Sequence, residues 1–414
     1  VSGTTTVTRE ARASLPLAGE LPAPAVAPRH ALLAKGFRPF FLAASAFAVA
    51  IVPAWLLILG GAVAPLTYLD ATSWHAHEMV FGFAVAVIAG FLLTAAGNWT
   101  QRETAVDAPL LGLVALWAVG RVAMVAAGAL PRGVAAAVDL AFLPVLAVVL
   151  ARPIVLAKSW RNLVMIAVVG GLFAANVTVH LAALGVLGLG AARRACLVGV
   201  DVVVLVILVM AGRVFPMFTR NATGVAAIRS LPSLDRATLA GMTLLVLLDV
   251  VAPEGTVASA ASGVVGLIAA ARAVHWGARH TLRVPLLRIL HAGYAWVPIG
   301  LLLRGVAGFV PSVPRSLTTH ALTVGAIGCL TLGMMARVAL GHTGRPLVAA
   351  KPMVGSFAAL VLAALARVVV PLLAPAWYFQ ALVVSGGLWA VAFLAFVLVY
   401  APLLSRPRVD GKPG

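Results

Sequence analysis

Residues Ser73 to Phe83 read SWHAHEMVFGF, and the apolar run continues without a break through AVAVIAGFLLTAAGNW to Trp99. At a rise of about 1.5 Å per residue, roughly 20 apolar residues cross the hydrocarbon core of a bilayer as a helix. The stretch therefore reads as a membrane span. Yet it begins with His75, His77 and Glu78, and ionisable groups within a membrane are costly and tend to mark function.

The rest of the chain has the same apolar character. Of its 414 residues, 62% are hydrophobic and 10% charged, and the mean hydropathy is +1.07, which leaves too little polar surface to cover a soluble globule. A formal net charge of +18 could suggest a nucleic-acid partner. However, the basic residues lie in short loops between apolar runs, not on one basic face, so the chain is read as a lipid-embedded protein with no nucleic acid. Cys196 and Cys329 each sit inside an apolar run with no CxxC spacing, which excludes a disulfide framework and makes them small buried residues. Residues 1–30 are rich in Ser, Thr, Ala and Pro and lack the apolar centre of a signal peptide, so a disordered cytoplasmic tail is expected there.

Apolar runs of span length lie near 39–60, 75–98, 108–128, 133–151, 161–188, 194–215, 235–252, 256–272, 285–304, 317–341, 353–373 and 377–402. Pro, Gly and charge mark the breaks between them, as in LDVVAPEG after the seventh and VPSVPR before the tenth. The expected fold is all-α: a polytopic integral membrane protein with about 12 transmembrane helices over residues 31–404, followed by a cytoplasmic tail at 405–414. Loops on the N-terminal side carry most of the basic residues, among them Lys35, Arg38, Arg102, Lys158, Arg161, Arg229, Arg283 and Lys351. The opposite loops and helix ends carry few: Arg132, Arg193, Arg194, Arg304, Arg315 and Arg367. By the positive-inside rule this places both termini in the cytoplasm, and the expected location is the bacterial inner membrane.

Three loops superpose in sequence: TQRETAVDAP from Thr100, TGVAAIRSLP from Thr223 and TGRPLVAAKP from Thr343, each running from Thr to Pro at one spacing. Upstream of the first and third, His77, Gly82, Gly90, Thr100 and Arg102 match His320, Gly325, Gly333, Thr343 and Arg345. Three units of four helices are expected.

Counting along the spans gathers polar residues at two depths. His75, His77, Glu78, His180 and His320 fall toward the outer face with Asp139, Asp201, Asp249, Arg121 and Arg367. His291, His342 and Arg213 fall toward the inner face. A single membrane histidine is usually a hydrogen-bonded packing residue, but several at one depth suggest a metal site. Imidazole is the commonest ligand, and haem and copper both accept it. The candidate metal ligands are His75, His77, His180, His291, His320 and His342. Arg121, Arg213 and Arg367 are candidates for holding a cofactor's carboxylates, although the buried aspartates would serve Arg121 and Arg367 as well. On a regular helix His75 and His77 point about 200° apart and cannot share one ion, whereas His75 and Glu78 share a face. Glu78 is accordingly the candidate catalytic carboxylate, orienting an imidazole or relaying protons. No CxxCH, HExxH, Walker loop or GxSxG competes with this reading.

The stretches AKGFRPFFLAAS (Ala34 to Ser45), WHAHEMVFGF (Trp74 to Phe83), GRVFPMFTRNATG (Gly212 to Gly224), HAGYAW (His291 to Trp296), HALTVGAIG (His320 to Gly328) and LGHTGRP (Leu340 to Pro346) are together specific. On them the chain resembles the NnrS family, haem- and copper-containing membrane proteins of the bacterial nitric oxide response. The resemblance implies twelve helices, haem and copper as cofactors, nitric oxide as the molecule handled and relief of nitrosative stress. It does not say which histidine holds which metal. Three groups of four helices with His on the second and tenth also look like the haem–copper oxidase arrangement, but the sixth span has no His.

The leading expectation is a nitric oxide-reducing or detoxifying oxidoreductase. In it His77, His180 and His320 are ligands, His75 and Glu78 serve a second centre or a proton relay, Glu78, Asp139, Asp201 and Asp249 are candidate proton carriers, and His291 and His342 form an inner site or receive electrons from a quinol. A secondary transporter is the alternative, as is a haem-based sensor without turnover.

Overall fold

The computed structural model describes residues 30–188, 190–252 and 255–412. The tail expected at 1–30 lies outside the described residues except for His30, as do Glu254 and the last two residues of the C-terminal tail.

Among the described residues, eleven helices are long and apolar enough to cross a membrane. They are α1 (Phe37–Leu59), α2 (Ala71–Thr100), α3 (Asp107–Val125), α4 (Arg132–Leu156), α5 (Trp160–Ala183), α6 (Gly190–Thr223), α8 (Thr256–Trp276), α9 (Pro285–Ala307), α10 (Arg315–His342), α11 (Lys351–Leu373) and α12 (Pro375–Leu404). The seventh expected span is also a helix, α7 (Pro232–Val251), packed between α6 and α8. It is long enough to cross but carries Asp235, Arg236 and Asp249, which separates it from the eleven. An independent contact fixes the parity of the crossings. Arg38, at the start of α1, donates from Nη1 to the carbonyls of Leu404 and Arg406 at the end of α12, both at 2.8 Å. The first helix thus begins at the end of the bundle where the last one stops. That requires an even number of crossings, which α7 supplies. No strand occurs among the described residues, as expected where every backbone group must be paired without water.

The bundle turns its most apolar side chains outward. Val122, Val148 and Leu398 are 68%, 70% and 67% exposed, the pattern of a surface that faces lipid tails. The interior belongs to α2 and α10, buried over 89% and 67% of their most apolar stretches, against 33% for α1 and 39% for α12. The helix that opens with two histidines and a glutamate is therefore the most enclosed of the span-length helices.

The sequence repeat has a structural counterpart in these two central helices. In α2 the turns after His77 widen into a π-helix at Glu78–Ala84, and in α10 the same happens after His320, at Ala321–Gly328. Each π segment contains a glycine against which an aromatic ring of the preceding packed helix lies: Gly82 under Phe47 of α1, and Gly325 under Trp296 of α9. Two turns on, Gly90 receives Phe40 and Gly333 receives Ile289, seven residues earlier on α1 and α9 respectively. At the corresponding places α6 carries Leu205 and Arg213. What the middle unit shares is the end of the helix. Thr100, Thr223 and Thr343 each donate the side-chain hydroxyl to the carbonyl four residues back, at 2.7, 2.7 and 2.6 Å. The close approach repeats in two units, and the helix terminus in all three.

A Cβ at Gly325 would lie 2.5 Å from Trp296 Cγ, so Gly325→Leu forces the α9–α10 contact apart. Overpacking of this kind costs about 1–3 kcal/mol, and the unfolding midpoint of the detergent-solubilised protein is expected to fall. Gly355→Ala on α11, where nothing lies within 4 Å of the added atom, should leave it unchanged. Equal effects of the two substitutions would refute the close-packing role of Gly325.

Candidate functional site

The point at which α2 starts decides where its histidines face. Asp70 precedes the helix in extended conformation, and its carboxylate accepts the N–H groups of Thr72 and Ser73, both at 3.0 Å. This is an N-cap, and it starts the helix at Ala71. Partial burial pushes the Asp70 carboxyl up, but the hydrogen bonds from Ser73 and Thr72 outweigh it and hold the group below the usual carboxylate value. With a regular turn before them, His75 and His77 point in nearly opposite directions and enter different compartments.

His77 enters a sealed polar cluster. His77 and Glu78 are 0% exposed, and Asp139, Asn176 and His180 are buried with them. Arg121 of α3 donates from Nη1 to both oxygens of Glu78, at 2.9 and 3.0 Å, and from Nη2 to Asp139 Oδ1. Asn176 of α5 donates its Nδ2 to Asp139 Oδ2 at 2.7 Å, so its Oδ1 is the acceptor that faces His77 Nε2 at 2.9 Å. The other nitrogen of His77, Nδ1, faces Glu78 Oε1 at 2.8 Å. Both ring nitrogens therefore meet acceptors, and the contacts are satisfied when each carries a proton. His180 donates from Nε2 to Asp139 Oδ2 at 2.8 Å and accepts the hydroxyl of Tyr68 at Nδ1, at 2.6 Å. Both carboxylates are thus met by the Arg121 guanidinium and by imidazole nitrogens, so each buried charge has a partner. That pairing is the condition for keeping it out of water.

The same atoms could hold a metal. One ligand atom each from His77, Asp139 and His180 lie within 4.8 Å of one another. Two imidazoles and a carboxylate suit copper, zinc or iron. Ligation would require His77 Nε2 to give up its contact with Asn176, and His180 Nε2 to give up the proton it donates to Asp139.

The expectation that Glu78 shares a face with His75 is corrected here. Glu78 is the first residue of the π segment, and the wider turn changes the angular step after His77. The carboxylate turns to His77 and Arg121, where its charge is neutralised. Tyr68, in the loop before α2, was not anticipated. Its pairing with His180 across 112 positions leaves no local signal.

His75 enters the second compartment. Its ring stacks on Trp55 of α1 with centroids 4.0 Å apart, and its Nδ1 has no hydrogen-bond partner among the described residues. It lines a cavity of about 250 Å³ together with Met79, Cys196, His320, Arg367 and Trp389. His320 donates its Nδ1 proton to the carbonyl of Ser316 at 2.6 Å, which leaves the lone pair on Nε2. This is the arrangement by which proteins orient a ligating imidazole. Arg367 of α11 donates to the Tyr378 hydroxyl at 3.1 Å, while its Nε and Nη1 are buried without partners. Unused imidazole nitrogens and an unsatisfied guanidinium around one cavity are donor types that suit a metal ion and an anionic group.

The structure thus pairs His77 with His180 and His75 with His320, whereas His77, His180 and His320 were expected together. His291 and His342 do not join either pair. His291 faces the Thr219 hydroxyl through Nε2 at 2.9 Å and packs on Phe215, while His342 lies against Phe37, 5.5 Å between ring centroids. Arg213 is exposed on α6, and Arg121 is committed to Glu78 and Asp139. Of the three arginines, Arg367 alone lines the cavity.

Removing Arg121 leaves an uncompensated buried anion. Arg121→Met is expected to cost about 3–5 kcal/mol, as for other broken buried pairs. Adding Glu78→Gln removes one of the two anions that Arg121 had paired and should recover part of the loss. Detergent melting of both variants checks this; simple additivity of the two substitutions would refute the charge-paired cluster.

Compared with known proteins, the chain matches the family described as NnrS protein over residues 31–408, nearly its whole length. No curated protein matches it. Helices, sealed cluster and cavity all fall within the matched range, and the chain belongs to the NnrS family, whose role is tied to nitric oxide.

Proposed function

We propose that this protein is a haem- and copper-binding membrane oxidoreductase that removes nitric oxide and so relieves nitrosative stress. The observation that supports the reading best is the opposite facing of His75 and His77, which gives one central helix two separate sets of nitrogen donors. His75 and His320 would hold haem at the cavity, with Arg367 against a carboxylate. His77, Asp139 and His180 would hold copper in the sealed cluster. When bound, reduced haem and copper supply one-electron chemistry and a site for nitric oxide.

The protein's own residues set the conditions. Nitric oxide is small and apolar and reaches the cavity from lipid, so no polar channel is needed. The ring of Trp55 holds His75 flat, and the Ser316 carbonyl fixes the tautomer of His320. Glu78 orients His77 and keeps a proton at its Nδ1. Reduction of two nitric oxide molecules to nitrous oxide and water consumes two electrons and two protons. A quinol is the proposed electron donor. The setting is the bacterial inner membrane with both chain ends in the cytoplasm, as the loop charges favour.

Purified protein is expected to show a haem Soret band that shifts on reduction and again with nitric oxide. His75→Ala and His320→Ala should each lower haem content while copper stays, and His77→Ala and His180→Ala should do the reverse. Metal analysis and the visible spectrum read this, with far-UV circular dichroism to confirm folding. A folded protein without a chromophore would remove the reading. A chromophore that binds nitric oxide without consuming it at an electrode would make the protein a sensor.

A further inference from the structure

On the wall of the cavity, across from the histidines, α6, α7 and α9 bring together Asp201, Asp249 and Arg304. Asp201 and Asp249 are 2% and 1% exposed. Arg304 donates from Nη1 to Asp201 Oδ2 at 3.1 Å and from Nη2 to Asp249 Oδ1. The sequence reading has Asp201 and Asp249 inside spans as separate candidate proton carriers and Arg304 at the helix ends of the outer face, and it pairs none of the three.

The charges here do not balance. Two carboxylates share one guanidinium. Among the described residues Asp249 Oδ2 is buried without a hydrogen-bond partner, and Asp249 lines the cavity. A surplus negative charge left in a membrane interior is expensive. Of the groups that could cancel it, Arg193 and Arg367 line the same cavity, but no ion pair joins either of them to the aspartates among the described residues. His75 and His320 face that cavity from α2 and α10. A metal cation at the pair would sit against the Arg304 guanidinium. A proton removes the charge at the carboxylate itself and turns an orphaned acceptor into a donor.

We propose that Asp201 and Asp249 form a proton-binding pair, holding one proton between them on Arg304 and exchanging it with the cavity. On release, the O–H bond of the carboxylic acid breaks and the proton passes to a basic oxygen or nitrogen in the cavity. The carboxylate left behind is held by Arg304, and hydronium returns the proton from the cavity mouth, where Arg193 and Arg315 are exposed. The consumer of the proton rests on the oxidoreductase reading above, since reduction of nitric oxide takes up protons. The proton-binding pair does not rest on it.

The test is difference infrared spectroscopy of the purified full chain in H2O and D2O at neutral pH. The native protein is expected to show the carbonyl stretch of a protonated carboxylic acid, shifted in D2O, and to lose it in Asp249→Asn or Asp201→Asn. Asn keeps the shape and imitates the neutral acid, so these variants should fold. Arg304→Met removes the cation and should add protonated carboxyl signal as the second aspartate also takes a proton. Absence of the band in the native protein, or its persistence in both Asn variants, overturns the proposal. Sodium-dependent melting with no band would identify a cation site and overturn it as well. A protein that carries haem and consumes nitric oxide but lacks the band defeats this inference alone. A protein with the band but without metal defeats the oxidoreductase reading alone.

Discussion

The structure depends on one constraint: in a bilayer interior, charge has to be cancelled by protein. Glu78 lies on the most buried of the span-length helices, with no water to solvate it, and its charge is met by Arg121 from α3 and by His77 beside it. Arg121 in turn draws Asp139, Asp139 holds Asn176 and His180, and His180 holds Tyr68. One carboxylate on α2 thereby fixes how α3, α4 and α5 are set against it. Exchange of such a cluster for apolar packing is often neutral or stabilising in proteins, so the cluster's value here lies in what it positions.

What it positions is one of two imidazole sites separated by helical geometry. The Asp70 cap sets the start of α2, and from there His75 and His77 cannot face the same way. His77 is fully engaged on both nitrogens, whereas His75 and His320 keep nitrogens free at a cavity that also holds an under-satisfied Arg367. The two compartments are chemically unlike. One is closed and polar, with its groups paired; the other is an opening with unused donors and acceptors, including the carboxyl pair on Arg304. The helix α2 is the wall between them.

The π segments give the central helices their shape. Both follow a histidine, both contain a glycine under an aromatic ring, and the Gly82 carbonyl accepts the indole N–H of Trp117 at 3.0 Å. π turns are rare and frequent at functional sites. They recur in α2 and α10 at matching positions, each directly after a histidine. The middle unit, with Val200 in place of the histidine, kept only the helix-ending threonine.

Much was legible in the sequence. Span length, apolar content and loop charge follow from the cost of placing polar groups in lipid, which acts on each segment separately. All twelve helices, their order and the divergence of His75 from His77 could therefore be read from local pattern. Matching Gly, His and Thr spacings were enough to expose the repeat. Partnerships across the bundle were not legible, because they join residues far apart: His77 with Asn176 over 99 positions, Arg304 with Asp201 over 103, Arg121 with Asp139 over 18. The turn of Glu78 toward His77 was hidden too, since a π segment leaves no signature beyond a glycine in an apolar run. The sequence by itself determined that this chain is a membrane bundle with ionisable groups on its second helix. Only the tertiary structure decided which of those groups neutralise each other and which remain free at a cavity, because charge cancellation depends on distance through space.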